Sequence, residues 1–95
     1  MIPGIAPNWT RVAASQTDSA IASEASIIVF AILCSFTSAG IVTIEEGDGS
    51  TVIMTIDGAA ATTFTFEMPF LATRGLNVTT PAGVAVTVFH SNGGS

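Results

Sequence analysis

Few residues in this chain could carry out chemistry, and the sequence does not group them. The 95 residues include one histidine, His90, and one cysteine, Cys34. A small hydrolase would need His90 between a nucleophilic serine and an acid, but no serine lies in the sharp turn that presents such a nucleophile. A histidine at the rim of the last strand is the favoured interpretation. The sequence therefore predicts no catalytic residue, and a small hydrolase stays an alternative.

Candidate metal ligands are equally sparse. One cysteine and one histidine cannot build the tetrahedral site of zinc without carboxylates. Glu45, Glu46 and Asp48 form the only cluster of charge, but their spacing lacks the regular ligand positions of a calcium-binding loop. We interpret these acids as solvent-exposed turn residues and Cys34 as a small buried hydrophobe. The sequence predicts neither a metal nor a cofactor.

The charge content is low for a soluble domain. Charged residues make up 9% of the chain and the net charge is −5, whereas typical domains contain about 25% charged residues. Arg11 and Arg74 are the only basic residues, which disfavours binding to nucleic acid or to an anionic membrane, since both need clustered basic side chains. A surface this poor in charge predicts that neighbouring molecules cover part of it.

Residues 26–36 form the most apolar segment of the chain. The segment is too short for a transmembrane helix, and acidic rather than basic residues precede it, unlike in a signal peptide. The expected compartment of synthesis is therefore the cytoplasm. β-Branched residues favour a strand that is covered on both faces, at the centre of a sandwich or at a subunit contact. Residues 41–46 and 51–56 follow it, and together the three segments predict an antiparallel meander.

Turns and alternating apolar residues predict an all-β fold for the rest of the domain. Further strands are expected at residues 8–14, 63–67, 76–79 and 84–90, with a tight turn at Asp57-Gly58 and a loop at residues 68–75 that ends in a positive-φ Gly75. Seven to eight strands indicate an antiparallel β-sandwich or jelly roll. The predicted core consists of Phe30, Ile32, Val42, Ile44, Phe64, Phe66, Val86 and Val88.

The expected organisation is an extended N-terminal arm at residues 1–7, one β-sandwich domain at residues 8–91 and a flexible tail at residues 92–95. Prolines in the arm lower the entropy that it would lose on docking, so the arm is a candidate contact. The predicted protein-interaction residues are Ile2, Pro3, Ile5, Pro7 and Trp9.

The order of segments between residues 27 and 90 resembles that of small tailed-phage virion proteins, in particular capsid cement (head-decoration) proteins. The resembling segments are the apolar strand at residues 27–36, Ala39-Gly-Ile-Val-Thr-Ile44, the Gly47-Asp-Gly49 turn with Thr51-Val-Ile53, the segment from Phe70 through Gly75-Leu-Asn-Val78, and Val84-Ala-Val-Thr-Val-Phe89. The resemblance implies a compact β-sandwich that binds the outer shell of a phage head as a trimer or other multimer, without catalysis.

We therefore expect a structural virion protein on the capsid surface, synthesised in the cytoplasm of the bacterial host. Its expected partners are the major capsid protein and further copies of itself, most simply as a homotrimer. Besides the small hydrolase, two alternatives remain: a structural subunit associated with a phage tail or fibre, and a carbohydrate-binding, adhesin-like β-module that would use Trp9 as an aromatic platform.

Overall fold

The protein folds into two antiparallel β-sheets that pack face to face. The computed structural model describes residues 8–21, 25–47 and 51–91. Within these ranges the chain forms nine strands: β1 (Asn8–Val12), β2 (Ser19–Ile21), β3 (Ile27–Phe36), β4 (Gly40–Glu46), β5 (Val52–Gly58), β6 (Thr62–Phe66), β7 (Phe70–Ala72), β8 (Leu76–Thr79) and β9 (Val84–His90). The predicted all-β sandwich is confirmed. The predicted arm at residues 1–7 and the tail at residues 92–95 lie outside the described residues.

The strand order is that of a jelly roll. One sheet has the order β1-β9-β3-β6, with β7 as its fifth strand, and the other has the order β2-β8-β4-β5. A jelly roll has eight strands in two Greek keys. Here the edge position beside β3 is divided between β6 and β7, which both pair with β3. This division explains why nine strands form where seven to eight were predicted.

Strand β3 is the centre of the five-stranded sheet, because it pairs with β9 on one side and with β6 and β7 on the other. Its inward side chains are all buried: Ile27, Val29, Ile32, Cys34 and Phe36. Strict alternation would place Phe30 inward, but the pairing with β9 shifts register between Val29 and Ala31. Such a bulge changes which residues face the core, and Phe30 is only half-buried.

Five of the eight predicted core residues are buried: Ile32, Val42, Ile44, Val86 and Val88. The three phenylalanines are corrections. Phe64 lies opposite the fully buried Cys34 in the pairing of β6 with β3, yet its side chain is 43% exposed. Strand β6 is an edge strand, so little structure covers its inward side chains. Phe66 is half-buried and packs edge-to-face against Phe70, with ring centroids 6.3 Å apart.

The predicted meander was wrong, because β3 lies in the five-stranded sheet while the β4–β5 hairpin lies in the other. The predicted turn at Asp57-Gly58 was also wrong, since both residues complete β5 and the chain reverses at residues 59–61. A glycine is needed at position 58, because a Cβ atom there would lie 2.6 Å from the ring of Phe36. The predicted loop at residues 68–75 contains β7, and Gly75 has the expected positive φ, 73°.

Buried Thr80 joins the loop after β1 to the loop after β8. Its Oγ1 donates a hydrogen bond to the carbonyl of Ala13 at 2.7 Å and accepts one from the amide of Gln16 at 3.0 Å. Its own amide donates to the carbonyl of Gln16 at 2.8 Å. These bonds hold the chain that follows β1 against the end of the sandwich.

Candidate interaction surface

The outer faces of the two sheets differ in character. The outer face of the four-stranded sheet carries polar pairs, such as Thr43 beside both Thr55 and Thr79, and the same sheet has two exposed apolar side chains, Ile41 and Val52. The outer face of the five-stranded sheet instead carries large apolar side chains that are exposed to solvent: Trp9 at 66%, Leu71 at 63%, Ile28 at 42% and Phe89 at 37%. Exposed apolar side chains that lie together mark a surface used for contacts.

The strand register brings these four side chains together. Trp9 of β1 pairs with Phe89 of β9, and Ile28 of β3 pairs with Leu71 of β7. The two pairs are neighbours, because the amide of Ser91, two residues after Phe89, donates to the carbonyl of Ile28 at 2.9 Å. Trp9, Ile28, Leu71 and Phe89 are called the apolar patch below. The patch crosses four strands of the sheet.

A groove lies next to the apolar patch on the same face. Arg11 pairs with Thr87, which in turn pairs with Leu33. Small residues such as Ala85 and Gly83 leave a depression beside these larger side chains. The depression has a volume of about 300 Å³. Its lining consists of Arg11, Ala14, Leu33, Ser35, Thr37, Gly83, Ala85 and Thr87; it is called the Arg11 groove below.

Arg11 supplies positive charge to a chain whose net charge is −5. Its side chain is exposed and makes no ion pair with the part of the chain that the structure describes. The hydroxyl of Thr37 donates to the carbonyl of Gly83 at 2.6 Å, whereas Ser35 and Thr87 make no side-chain hydrogen bond to the described residues. The groove therefore offers a guanidinium and two hydroxyl groups to a ligand.

His90 is buried rather than placed at an open rim. It ends β9 with 7% of its side chain exposed. Its Nδ1 lies 2.7 Å from the carbonyl oxygen of Ser91, which can only accept, so Nδ1 carries the proton. Its Nε2 lies 2.9 Å from the hydroxyl of Thr10, which can donate or accept, so the two groups share a hydrogen bond. Both ring nitrogens are thus used to join β1 to the end of β9.

Cys34 is fully buried within β3. Burial raises the pKa of its thiol from an ordinary value of 9.0 to about 11, because the apolar surroundings disfavour the thiolate. The thiolate is the nucleophilic form of cysteine, so Cys34 is an inert part of the core. Among the described residues no group of three or more His, Cys, Asp and Glu side chains could hold a metal ion; Asp48 lies outside them.

The residues predicted for protein interaction divide into two sets. Trp9 lies in the exposed apolar patch, whereas Ile2, Pro3, Ile5 and Pro7 lie outside the described residues. Sequence analysis missed the remaining patch residues and the groove. Their strands carry apolar residues on both faces, so alternation alone does not reveal which side chains face solvent.

Comparisons with known proteins identify no relative of this chain. No protein-family model, no curated protein and no solved structure matches the chain. Within the described ranges, the structure has no helix with the length and apolar character needed to cross a membrane.

Proposed function

We propose that this protein is a structural, non-catalytic subunit of a virion: a capsid cement protein that binds and stabilises the outer shell of a bacteriophage head. The apolar patch on the five-stranded sheet is the observation that carries the proposal. Trp9 and Leu71 are each more than 60% exposed in the single chain, and a free subunit gains nothing from leaving such side chains in water.

The patch has the character of a protein contact surface. Aromatic side chains are enriched at such interfaces, and tryptophan is among the residues that contribute most to binding. The low content of charged residues, 9%, supports the same conclusion, because a freely soluble domain usually carries much more mixed charge. We infer that this face is covered by protein when the subunit works.

The assignment to a phage head rests on two further arguments. The order of segments between residues 27 and 90 resembles that of capsid cement proteins, and the strand order is that of a jelly roll, an architecture used by viral capsid domains. One fold can serve many functions, so the experiment below tests the contact surface. The proposed partners are the major capsid protein and further copies of this chain.

A second candidate function is carbohydrate binding, and exposed Trp9 is the observation that favours it. An indole ring beside a groove can stack against a sugar, and jelly rolls also occur in lectin domains. A glycan array, combined with Trp9 fluorescence during titration with sugars, tests this candidate directly. Saturable binding together with failure to bind phage heads would favour it over the cement function.

The test of the cement function is co-sedimentation of the purified chain with phage heads that lack it. We expect saturable binding and a higher melting temperature of the heads. Trp9→Ser should weaken binding by at least about tenfold, because tryptophan is a common interface anchor, and Leu71→Ser should weaken it by a smaller factor, because leucine seldom is one. Val52→Ser is the matched control, because Val52 is 54% exposed on the other sheet. A folded wild-type chain that binds no head, at any stage of assembly, would refute the function.

A further inference from the structure

We propose that a second copy of this chain covers the outer face of the five-stranded sheet, with the carboxylate of its Asp57 bound in the Arg11 groove. This contact rests on the proposed function and deepens it: the apolar patch joins one copy to the next, so Trp9→Ser and Leu71→Ser weaken binding to a head through loss of the oligomer. The contact itself can be tested without a phage head. The groove is then a carboxylate site formed by one copy and occupied by the next.

The chemistry of the groove fits a carboxylate. A guanidinium offers paired N–H donors whose geometry matches the two oxygens of a carboxylate. Arg11 makes no ion pair with the described residues, and the hydroxyls of Ser35 and Thr87 face the same groove without a side-chain partner there. The volume of about 300 Å³ leaves room for an acidic side chain.

The chain itself is a ready source of that carboxylate, because it has seven acidic residues and two basic ones. Asp57 is the acid that fits best. It is exposed on the outer face of the four-stranded sheet, where it pairs with Ile41, a side chain that is 53% exposed. An exposed acid beside an exposed apolar residue complements Arg11, which lies two residues from Trp9 of the apolar patch on β1.

The other described acids fit less well. Glu67 follows β6 in the same sheet as the groove, and Asp18 already lies 3.5 Å from the hydroxyl of Thr79. Glu46 is half-buried and Glu45 is also half-buried with a partner of its own. Asp57 is therefore the described acid that is exposed, lies on the opposite face and has an apolar neighbour.

The positions of the Arg11 groove and of Asp57 determine how one copy contacts the next in the assembly. Arg11 is on β1 and Asp57 is on β5, and these are edge strands at opposite ends of the two strand orders. Each copy therefore offers its groove to one neighbour and its Asp57 to another, which is a heterologous contact. Repeated from copy to copy, such a contact closes a ring where the rotation between neighbours closes and gives an open filament where it does not; three copies is the number expected at a local threefold axis of a shell.

A charge-swap experiment on the full chain tests the contact. The mass in solution is measured by light scattering for wild type, Arg11→Glu, Asp57→Arg and the double variant at low salt, with circular dichroism to verify folding. We expect a wild-type oligomer, at least a tenfold weaker association in each single variant, and recovery in the double variant, where the charges are exchanged. Asp57→Asn should weaken association, whereas Asp18→Asn, which removes the same charge from the loop between β1 and β2, should not.

The outcomes separate this contact from the proposed function. An oligomer rescued by the double variant supports the contact, even if the chain never binds a phage head. A wild-type chain that is monomeric at high concentration overturns the contact, even if it binds heads. Folded single variants that dissociate without rescue in the double variant also overturn the pairing of Arg11 with Asp57. The fluorescence of Trp9 is also measured during titration with acidic sugars. A wild-type chain that is monomeric and responds to them, together with an Arg11→Glu variant that does not, would assign the groove to a glycan instead.

Discussion

Replacing Phe36 by alanine tests whether β3 is the centre of the core. Phe36 is 2% exposed and is among the largest fully buried side chains of the described residues. Its ring lies against Gly58 of the opposite sheet, where an added Cβ atom would be only 2.6 Å from the ring. Phe36→Ala would leave a cavity between the two sheets, and the backbone could fill it only if the sheets moved. Because this cavity cannot collapse, we expect Phe36→Ala to lower the free energy of unfolding by an amount in the upper part of the usual range for Phe→Ala, about 3 to 5 kcal/mol.

Phe64→Ala is the matched control for Phe36→Ala. Both residues lie in the five-stranded sheet, but Phe64 is 43% exposed, so its truncation removes less buried area and leaves an open notch. We expect a loss of about 1 to 2 kcal/mol in the free energy of unfolding. Since domains of this size have a total stability of about 5 to 15 kcal/mol, Phe36→Ala should remove a large fraction of it and Phe64→Ala a small one.

The assay is urea denaturation followed by circular dichroism, at concentrations where the midpoint does not depend on protein concentration. An unchanged m-value with a lower midpoint would assign each effect to stability. Because each kcal/mol corresponds to about 4 to 8 °C in a small domain, Phe36→Ala should also lower the melting temperature by more than about 12 °C. If Phe36→Ala and Phe64→Ala lower the free energy of unfolding by the same amount, the assignment of Phe36 to the core and of Phe64 to an open edge is refuted.

Three further predictions concern stability. Thr80→Val should lower the free energy of unfolding by about 1 to 3 kcal/mol in urea denaturation, because it removes the buried hydroxyl that pairs with the partly buried Gln16 amide and Ala13 carbonyl. Gly83→Ala should also destabilise by about 1 to 3 kcal/mol, since position 83 has φ of +77° and an added Cβ would lie 2.6 Å from Oγ of Ser38; an unchanged melting temperature would contradict this. The raised pKa of Cys34 predicts stability that is constant below about pH 9 and falls as the pH rises to about 11, because the unfolded chain releases the thiol proton first; Cys34→Ala should abolish that fall in urea titrations.

Sequence patterns predicted the fold class because most strands are rich in β-branched residues and are bounded by residues typical of turns. β8 was predicted at its observed bounds, Leu76–Thr79, and β9 likewise, Val84–His90. The topology was missed for a physical reason: in a jelly roll consecutive strands often lie in different sheets, and no local pattern distinguishes a hairpin from a crossing between sheets. Short β7 was read as a loop because it follows a proline and has only three residues.

The candidate surface was harder to predict than the core, because it depends on contacts between distant segments. The apolar patch joins residues from β1, β3, β7 and β9, and its members look like ordinary core residues in the sequence. Trp9 is predicted as an interaction residue because it is the only tryptophan of the chain and could serve as an aromatic platform. Arg11 was noted as a rare cation, but its groove exists only because small residues of β9 and the preceding turn lie beside it.

Strand β3 explains why one chain leaves a surface that needs a partner. Its sequence is apolar on both faces, which predicts a strand covered from both sides. The four-stranded sheet covers only the inner face, where Ile32, Cys34 and Phe36 are buried. On the outer face Ile28 remains 42% exposed, and the bulge after Val29 takes Phe30 out of the core. The same strand that stabilises the monomer therefore requires a second layer, and a neighbouring copy that binds over it is the layer we propose.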